Sequence, residues 1–294
     1  MESNLHGLSR RGVLTLAGGA AIAITQGRGA ADAASRPAAK LFMTQRGTGR
    51  NVMLLHGWTC DSHDWSWQLP VFEDKYRVVA ADLRGHGRSE VMPSGGYFPA
   101  DYVADIEALI TTQYPGQKFV IVGHSMGGQI AARLAAKRPE LVSAIVSVDG
   151  ALGFSGEAAQ LLGKTAHDLA IDDPGMVVPA LFQRVYGPAT DPAFKRWHAR
   201  RVEGMPSHVV RESFGPLFFG TDQVGMGEAS GIFCRSVTVP VYQLCRDAAQ
   251  ADRMRPWFAH PKSKVEHWPD TGHWVMQDRP HDLNAAVTAW IDAV

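Results

Sequence analysis

The chain has 294 residues, 45% of them apolar and 20% charged, an ordinary balance for a globular protein and enough to build a full-size buried core. Its 29 basic and 29 acidic residues cancel, so it carries no electrostatic footprint for nucleic acid or an anionic membrane surface. The three cysteines, Cys60, Cys234 and Cys245, are odd in number and lack C-x-x-C spacing, which argues against both a disulfide framework and a structural zinc site.

Residues 9–14 read Ser-Arg-Arg-Gly-Val-Leu, an apolar run follows from Leu14 to Ile24, and Ala31-Asp32-Ala33 comes next. A charged stretch, an apolar stretch and an A-x-A site in that order predict an export signal over residues 1–33. The Arg10-Arg11 pair resembles the twin-arginine signal, although Val13 and Thr15 stand where that signal often has Phe and Lys. The competing reading is a membrane anchor. The run falls short of the about 20 apolar residues a span needs, and Gly18-Gly19 interrupts it. The expectation is export to the periplasm or exterior, without stable membrane association after cleavage, and a fold that starts at residue 34.

Short β-branched runs then alternate with helical segments, the pattern of an α/β fold with a mostly parallel sheet flanked by helices. Strands are expected at 51–56, 77–82, 118–123, 142–148, 239–244 and 264–268, with 40–45 as an antiparallel edge. Helices are expected at 100–113, 126–137 and 281–293; in the last, Leu283, Ala286, Val287 and Trp290 share one face. The strand rhythm stops over residues 151–235. That stretch is too long for a structureless loop and predicts a helical cap inserted into a core made of 34–150 and 236–294.

The core carries Gly123-His-Ser125-Met-Gly127 between a buried strand run and an Ala-rich helix. A G-x-S-x-G pentapeptide in that setting marks a serine exposed on a sharp turn, where small residues on either side let strand and helix backbones approach. The helix that follows directs its positive end at the same point. Among twelve histidines, His273 in Asp270-Thr-Gly-His273-Trp274 follows the last expected strand and obeys the order Ser before His. His56, His86 and His124 read as loop members or spacers, His167, His198 and His208 fall in the cap, and His260, His267 and His281 read as surface or core filler.

Together, His56-Gly57-Trp58, Asp82-Leu-Arg-Gly-His-Gly-Arg-Ser89, Gly123-His-Ser-Met-Gly-Gly128 and Asp270-Thr-Gly-His273 resemble the α/β-hydrolase superfamily. Within it the chain is most similar to small esterases and to the cofactor-free haloperoxidase or perhydrolase group. The resemblance covers residues 40–150 and 236–294 well and the cap poorly. It implies a nucleophile at Ser125, a general base at His273 and an oxyanion hole from the backbone N–H groups of Trp58 and Met126, whose side chains are then free to vary.

The acid of the triad departs from the family pattern. Relatives most often carry Gly-x-x-Asp after the strand that follows the cap, and aligning Arg246 on that glycine puts Ala249 where the aspartate should be. Two substitutes are available: Asp149, at the end of the preceding strand, a position used by a minority of relatives, and Asp247, with Asp252 behind them. Asp149 leads, because a strand-end carboxylate points to the carboxyl edge of the sheet. Asp82 reads as a turn-fixing residue partnered by Arg84 and Arg88. The cluster Cys60, Asp61, His63 and Asp64 lacks a recognised ligand spacing and reads as a polar loop. Neither metal nor cofactor is called for.

The candidate pocket lining is Trp58, Trp65, Trp67, Phe154, Phe182, Trp197, Phe214, Phe218, Phe219 and Trp274, an aromatic set suited to a small or medium apolar or aromatic substrate. The leading expectation is hydrolysis of a carboxylic ester or lactone through an acyl group on Ser125. Competing readings are peroxide as acyl acceptor, a non-catalytic ligand-binding relative, a cofactor-free dioxygenase, and carbon-carbon bond hydrolysis. The last wants a basic anchor for a substrate carboxylate, and the sequence identifies none. The export reading predicts that residues 1–40 carry a folded reporter out of the cytoplasm, and that changing Arg10 and Arg11 together to Lys stops it. Equal export by the Lys-Lys version, measured by cell fractionation, overturns the twin-arginine assignment.

Overall fold

The computed structural model describes residues 36–294; the expected export signal lies outside the described residues. Seven strands form one sheet: β1 (Met43–Arg46), β2 (Asn51–Leu55), β3 (Arg77–Ala81), β4 (Phe119–His124), β5 (Val142–Val148), β6 (Val241–Cys245) and β7 (Lys264–His267). Their spatial order is β1-β3-β2-β4-β5-β6-β7, and β1 is antiparallel to β3 while every other pair is parallel.

Sequence explains this order. β4, Phe-Val-Ile-Val-Gly-His, is buried at every position, as a central strand covered on both faces must be. β1 (Met-Thr-Gln-Arg) and β7 (Lys-Val-Glu-His) are polar and partly or fully exposed, which protects the two edges from pairing with another chain. β6 starts two residues later than expected because Pro240 has no N–H to give; its carbonyl still accepts from Ile145 N–H at 2.9 Å.

Helices α1 (Leu69–Glu73), α2 (Pro99–Gln113) and α3 (Met126–Lys137) lie between the first five strands. Between β5 and β6 come five more: α4 (Gly156–Ile171), α5 (Pro174–Val185), α6 (Pro192–Glu203), α7 (Ser207–Phe218) and α8 (Gly227–Ser236). Asp173 and Asp191 cap α5 and α6, each followed by Pro at the first helical position, where the missing N–H removes nothing. Helices α9 (Ala248–Met254), α10 (Val275–Asp278) and α11 (Pro280–Ala293) complete the chain. No helix among the described residues is long and apolar enough to cross a membrane.

Two side-chain assignments come out differently from the sequence reading. Asp82 does fix its turn, accepting from Ser62 N–H at 2.8 Å, Arg88 N–H at 2.9 Å and Arg88 Nε at 3.0 Å. Arg84, however, turns away to Asp105, at 2.5 Å, and to the Gly96 carbonyl, because it is fully buried against α2 and needs a carboxylate there. Trp58 is likewise not free to vary. Its Nε1 donates to Ser213 Oγ at 3.0 Å and the Val210 carbonyl at 3.2 Å, and its ring packs 4.6 Å from Phe214, tying the β2 loop to α7.

A second tie is ionic. Asp64, in the loop after β2, is buried and pairs with Arg201 of α6 at 2.5 Å, while its other oxygen accepts from Trp274 Nε1 at 3.1 Å. Asp61 of the same cluster caps the short helix at Ser62–Trp65. Removing one partner of a buried pair strands the other charge. Arg201→Met should therefore lower the unfolding free energy by about 3–5 kcal/mol, and adding Asp64→Asn should recover much of that loss. Urea denaturation checks this, and a double variant as unstable as the single one refutes it.

Candidate active site

Parallel pairing sets the site. β2 pairs with β4 through Leu55 and Gly123, β4 with β5 through His124 and Val148, and β5 with β6 through Val148 and Leu244. The residues that follow, His56-Gly57 after β2, Ser125 after β4, Asp149 after β5 and Arg246 after β6, therefore emerge along one carboxyl edge, where the strand order reverses and ligands of such sheets bind.

Ser125 alone makes the turn from β4 to α3, at φ 51° and ψ −115°, a conformation that costs a side-chain-bearing residue on the order of 1–3 kcal/mol. Glycine makes room for it. A Cβ on Gly123 would collide with the Gly127 carbonyl, and one on Gly127 would collide with the Leu55 carbonyl oxygen. Backbone bonds hold the strained residue, from Ser125 N–H to the Val148 carbonyl (3.1 Å) and from Ala151 N–H to the Ser125 carbonyl (2.9 Å). Gly57 passes close by, since a Cβ there would stand 3.2 Å from that of Ser125. Among the described residues, neither Trp58 N–H nor Met126 N–H donates to a protein acceptor.

His273 Nδ1 meets Asp149 Oδ2 at 2.6 Å. Asp149 is buried and also accepts from Arg246, through the backbone N–H at 3.2 Å and Nε at 3.1 Å. Burial pushes its carboxyl up, but the His273 hydrogen bond and charge and the Arg246 guanidinium outweigh that and hold it below the ordinary carboxylate range. Asp247, the alternative acid, is spent elsewhere: it caps α9 by accepting from Gln250 N–H at 2.7 Å. Asp252 is exposed and pairs with Arg255.

The loop carrying His273 is held by the helices between β5 and β6. His273 N–H donates to the Val185 carbonyl at the end of α5, at 2.8 Å, and Gly187 and Gly272 touch so closely that a Cβ on either would strike the other's backbone. Trp274 stacks on His198 of α6 at 4.0 Å. Two histidines read as spacers turn out to be struts. His56 donates from Nδ1 to the Gly57 carbonyl (2.8 Å) and accepts Leu83 N–H on Nε2 (2.9 Å); His124 donates from Nε2 to the His273 carbonyl (2.9 Å). Their only sequence signal is adjacency to the motifs.

Ser125, His273 and Arg246 line one cavity of about 690 Å³, which includes its open mouth. Six of the ten aromatic residues expected there do face it: Trp58, Phe154, Phe182, Phe214, Phe218 and Trp274. Trp65 is instead fully buried in the core, Trp67 and Trp197 are about half exposed, and Phe219 packs at the edge of the core. Besides aliphatic residues of the helices between β5 and β6, the lining includes one cation absent from the expected set, Arg246, whose only mark in the sequence is its alignment at the strand end.

Burial, and then the neighbouring His273 charge, push the His124 imidazole down to about 3. His124 should therefore remain neutral, with its proton on Nε2, from about pH 8 to about pH 5. Nitrogen-15 NMR of histidine-labelled protein reads this directly, and a ring that titrates within that range contradicts the strut assignment.

Residues 50–214 match the family described as the alpha/beta hydrolase fold. A 2-(acetamidomethylene)succinate hydrolase from Mesorhizobium japonicum is 36% identical over 275 residues, covering 86% of this chain and 92% of that protein. A non-heme haloperoxidase from Rhodococcus erythropolis is 40% identical over 100 residues, 33% of this chain and 35% of that one. The chain spans only 31% of the length of a serine hydrolase-like protein from Danio rerio, at 37% identity over 102 residues. Among solved structures, an esterase from Thermogutta terrifontis superposes with a TM-score of 0.70 at 24% identity, over 87% of this chain and 94% of that one. With a family match across more than half of its residues and a relative aligned along nearly its whole length, the chain belongs to the α/β-hydrolase fold family.

Proposed function

We propose that the protein is a serine hydrolase that cleaves a carboxylic ester or lactone of a small to medium apolar or aromatic substrate through an acyl-enzyme on Ser125. The observation that carries this reading is the 2.6 Å contact of Asp149 with His273 Nδ1 beside an elbow serine on the same cavity. An imidazole whose Nδ1 proton is held by a carboxylate presents Nε2 as the base. In this reading His273 Nε2 takes the Ser125 proton while Oγ bonds to the substrate carbonyl carbon. That proton then passes to the leaving oxygen as the ester bond breaks. Water repeats the cycle, giving a proton to His273 and its oxygen to the acyl carbon, and Ser125 leaves with the proton.

The oxyanion of each tetrahedral intermediate needs waiting donors. The backbone N–H groups of Met126 and Trp58 are assigned that role, supported by their lack of protein acceptors among the described residues and by the close passage of Gly57 against Ser125. The relative named as a hydrolase of 2-(acetamidomethylene)succinate supports hydrolysis. A second reading, peroxide in place of water as acyl acceptor, draws on the haloperoxidase relative; it uses the same residues and is separated by whether added peroxide yields a peracid.

Turnover of a panel of p-nitrophenyl esters and aromatic lactones tests the proposal. Ser125→Ala and His273→Ala should each lower kcat by about a thousandfold or more, and Asp149→Asn by about ten-thousandfold, with the fold intact. Asp247→Ala should keep kcat and lose about 1 kcal/mol of stability as a missing helix cap. Retained turnover in purified Ser125→Ala removes the central claim, and the opposite ranking of the two aspartates moves the acid.

A further inference from the structure

The wall of the cavity is apolar and aromatic apart from His124, Ser125, His273 and one cation, Arg246. Other guanidinium groups nearby are committed to protein acceptors: Arg201 to Asp64, and Arg253 to the Gly153 carbonyl. Arg246 is only partly committed. Its Nε donates to Asp149, whereas its two terminal nitrogens have no acceptor among the described residues, and its side chain keeps 29% of its exposure.

A guanidinium offers five N–H donors in a planar fork that matches a carboxylate. Neutralising Asp149 needs only the Nε edge. The terminal edge belongs to a side chain that lines a mostly apolar cavity, where a charged donor gains most from an anionic partner. Its place in the fold explains why it is available. The loop after β6 is where the family resemblance expects the acid, and with Asp149 supplying the carboxylate from β5, that loop carries a cation on the cavity wall instead.

We infer that Arg246 recognises a carboxylate on the acyl part of the substrate, so that the preferred substrate is an ester or lactone whose apolar body meets the aromatic wall while its carboxylate pairs with the terminal nitrogens of Arg246. This rests on the hydrolase reading above.

A matched pair of esters tests it: the p-nitrophenyl monoester of adipic acid and p-nitrophenyl hexanoate, which differ by a carboxylate in place of a methyl group. The ratio of kcat/KM for the two is the readout, because any loss acting through Asp149 affects both esters and cancels. The native protein should favour the monoester, Arg246→Gln should cut that ratio by about tenfold or more, and Arg246→Lys, which keeps the charge without the fork, should recover part of it. Binding is measured separately by calorimetry, with monoethyl adipate added to Ser125→Ala and to Ser125→Ala with Arg246→Gln. Binding should be lost with the arginine. If hexanoate is turned over as well as the monoester and Arg246→Gln slows both alike, the inference falls and the hydrolase reading stands. If neither ester is turned over yet binding depends on Arg246, the hydrolase reading falls and carboxylate recognition stands. Absence of both discrimination and binding overturns the inference.

Discussion

The site depends on one constraint, the parallel register of β2, β4, β5 and β6. Because these strands run in the same direction and pair close to their ends, their interiors can be mostly apolar while the chemistry-bearing residues collect at a single edge. The edge is strained as a result. Thr59, Ser125 and Asp149 all hold positive φ, at 57°, 51° and 43°, and residues with side chains keep such angles only where the surroundings over-determine them. For Ser125 and Asp149 the surroundings are backbone hydrogen bonds to neighbouring strands, at Val148 and at Leu244 respectively.

The helices between β5 and β6 are bound to this edge by polar groups as well as by apolar packing. Trp58 reaches α7, Asp64 reaches α6, and His273 N–H reaches the end of α5. A buried ion pair adds little net stability over well-packed apolar residues, but it tolerates few alternative geometries. The loop that bears His273 is therefore held from α5 and α6 as well as from the sheet, with Trp274 stacked on α6 and bonded to Asp64.

Asp149 illustrates how burial and charge are balanced. A carboxylate with 1% exposure would by itself resist ionisation, and the imidazole on one side and the guanidinium on the other reverse that tendency. The same guanidinium is the cation of the cavity wall, so one side chain links the electrostatics of the acid with those of the space above it.

Features set by local pattern were legible in the sequence. Helix α3 spans 126–137 as read, β5 spans 142–148 as read, and the other strand ends differ by at most three residues, because strand and helix periods and the steric needs of a G-x-S-x-G turn are properties of short segments. The sequence also named both Asp149 and Asp247 without showing which of them meets His273. That contact required the β5–β6 register and the return of the His273 loop, bringing together residues 124 positions apart. The same holds for Arg201 with Asp64, 137 positions apart, and for Trp67 and Trp197, which composition placed in the pocket and packing leaves near the surface. Periodicity tells which face of an element is apolar; only the packing of elements distant in the chain selects the partner that each buried polar group must have.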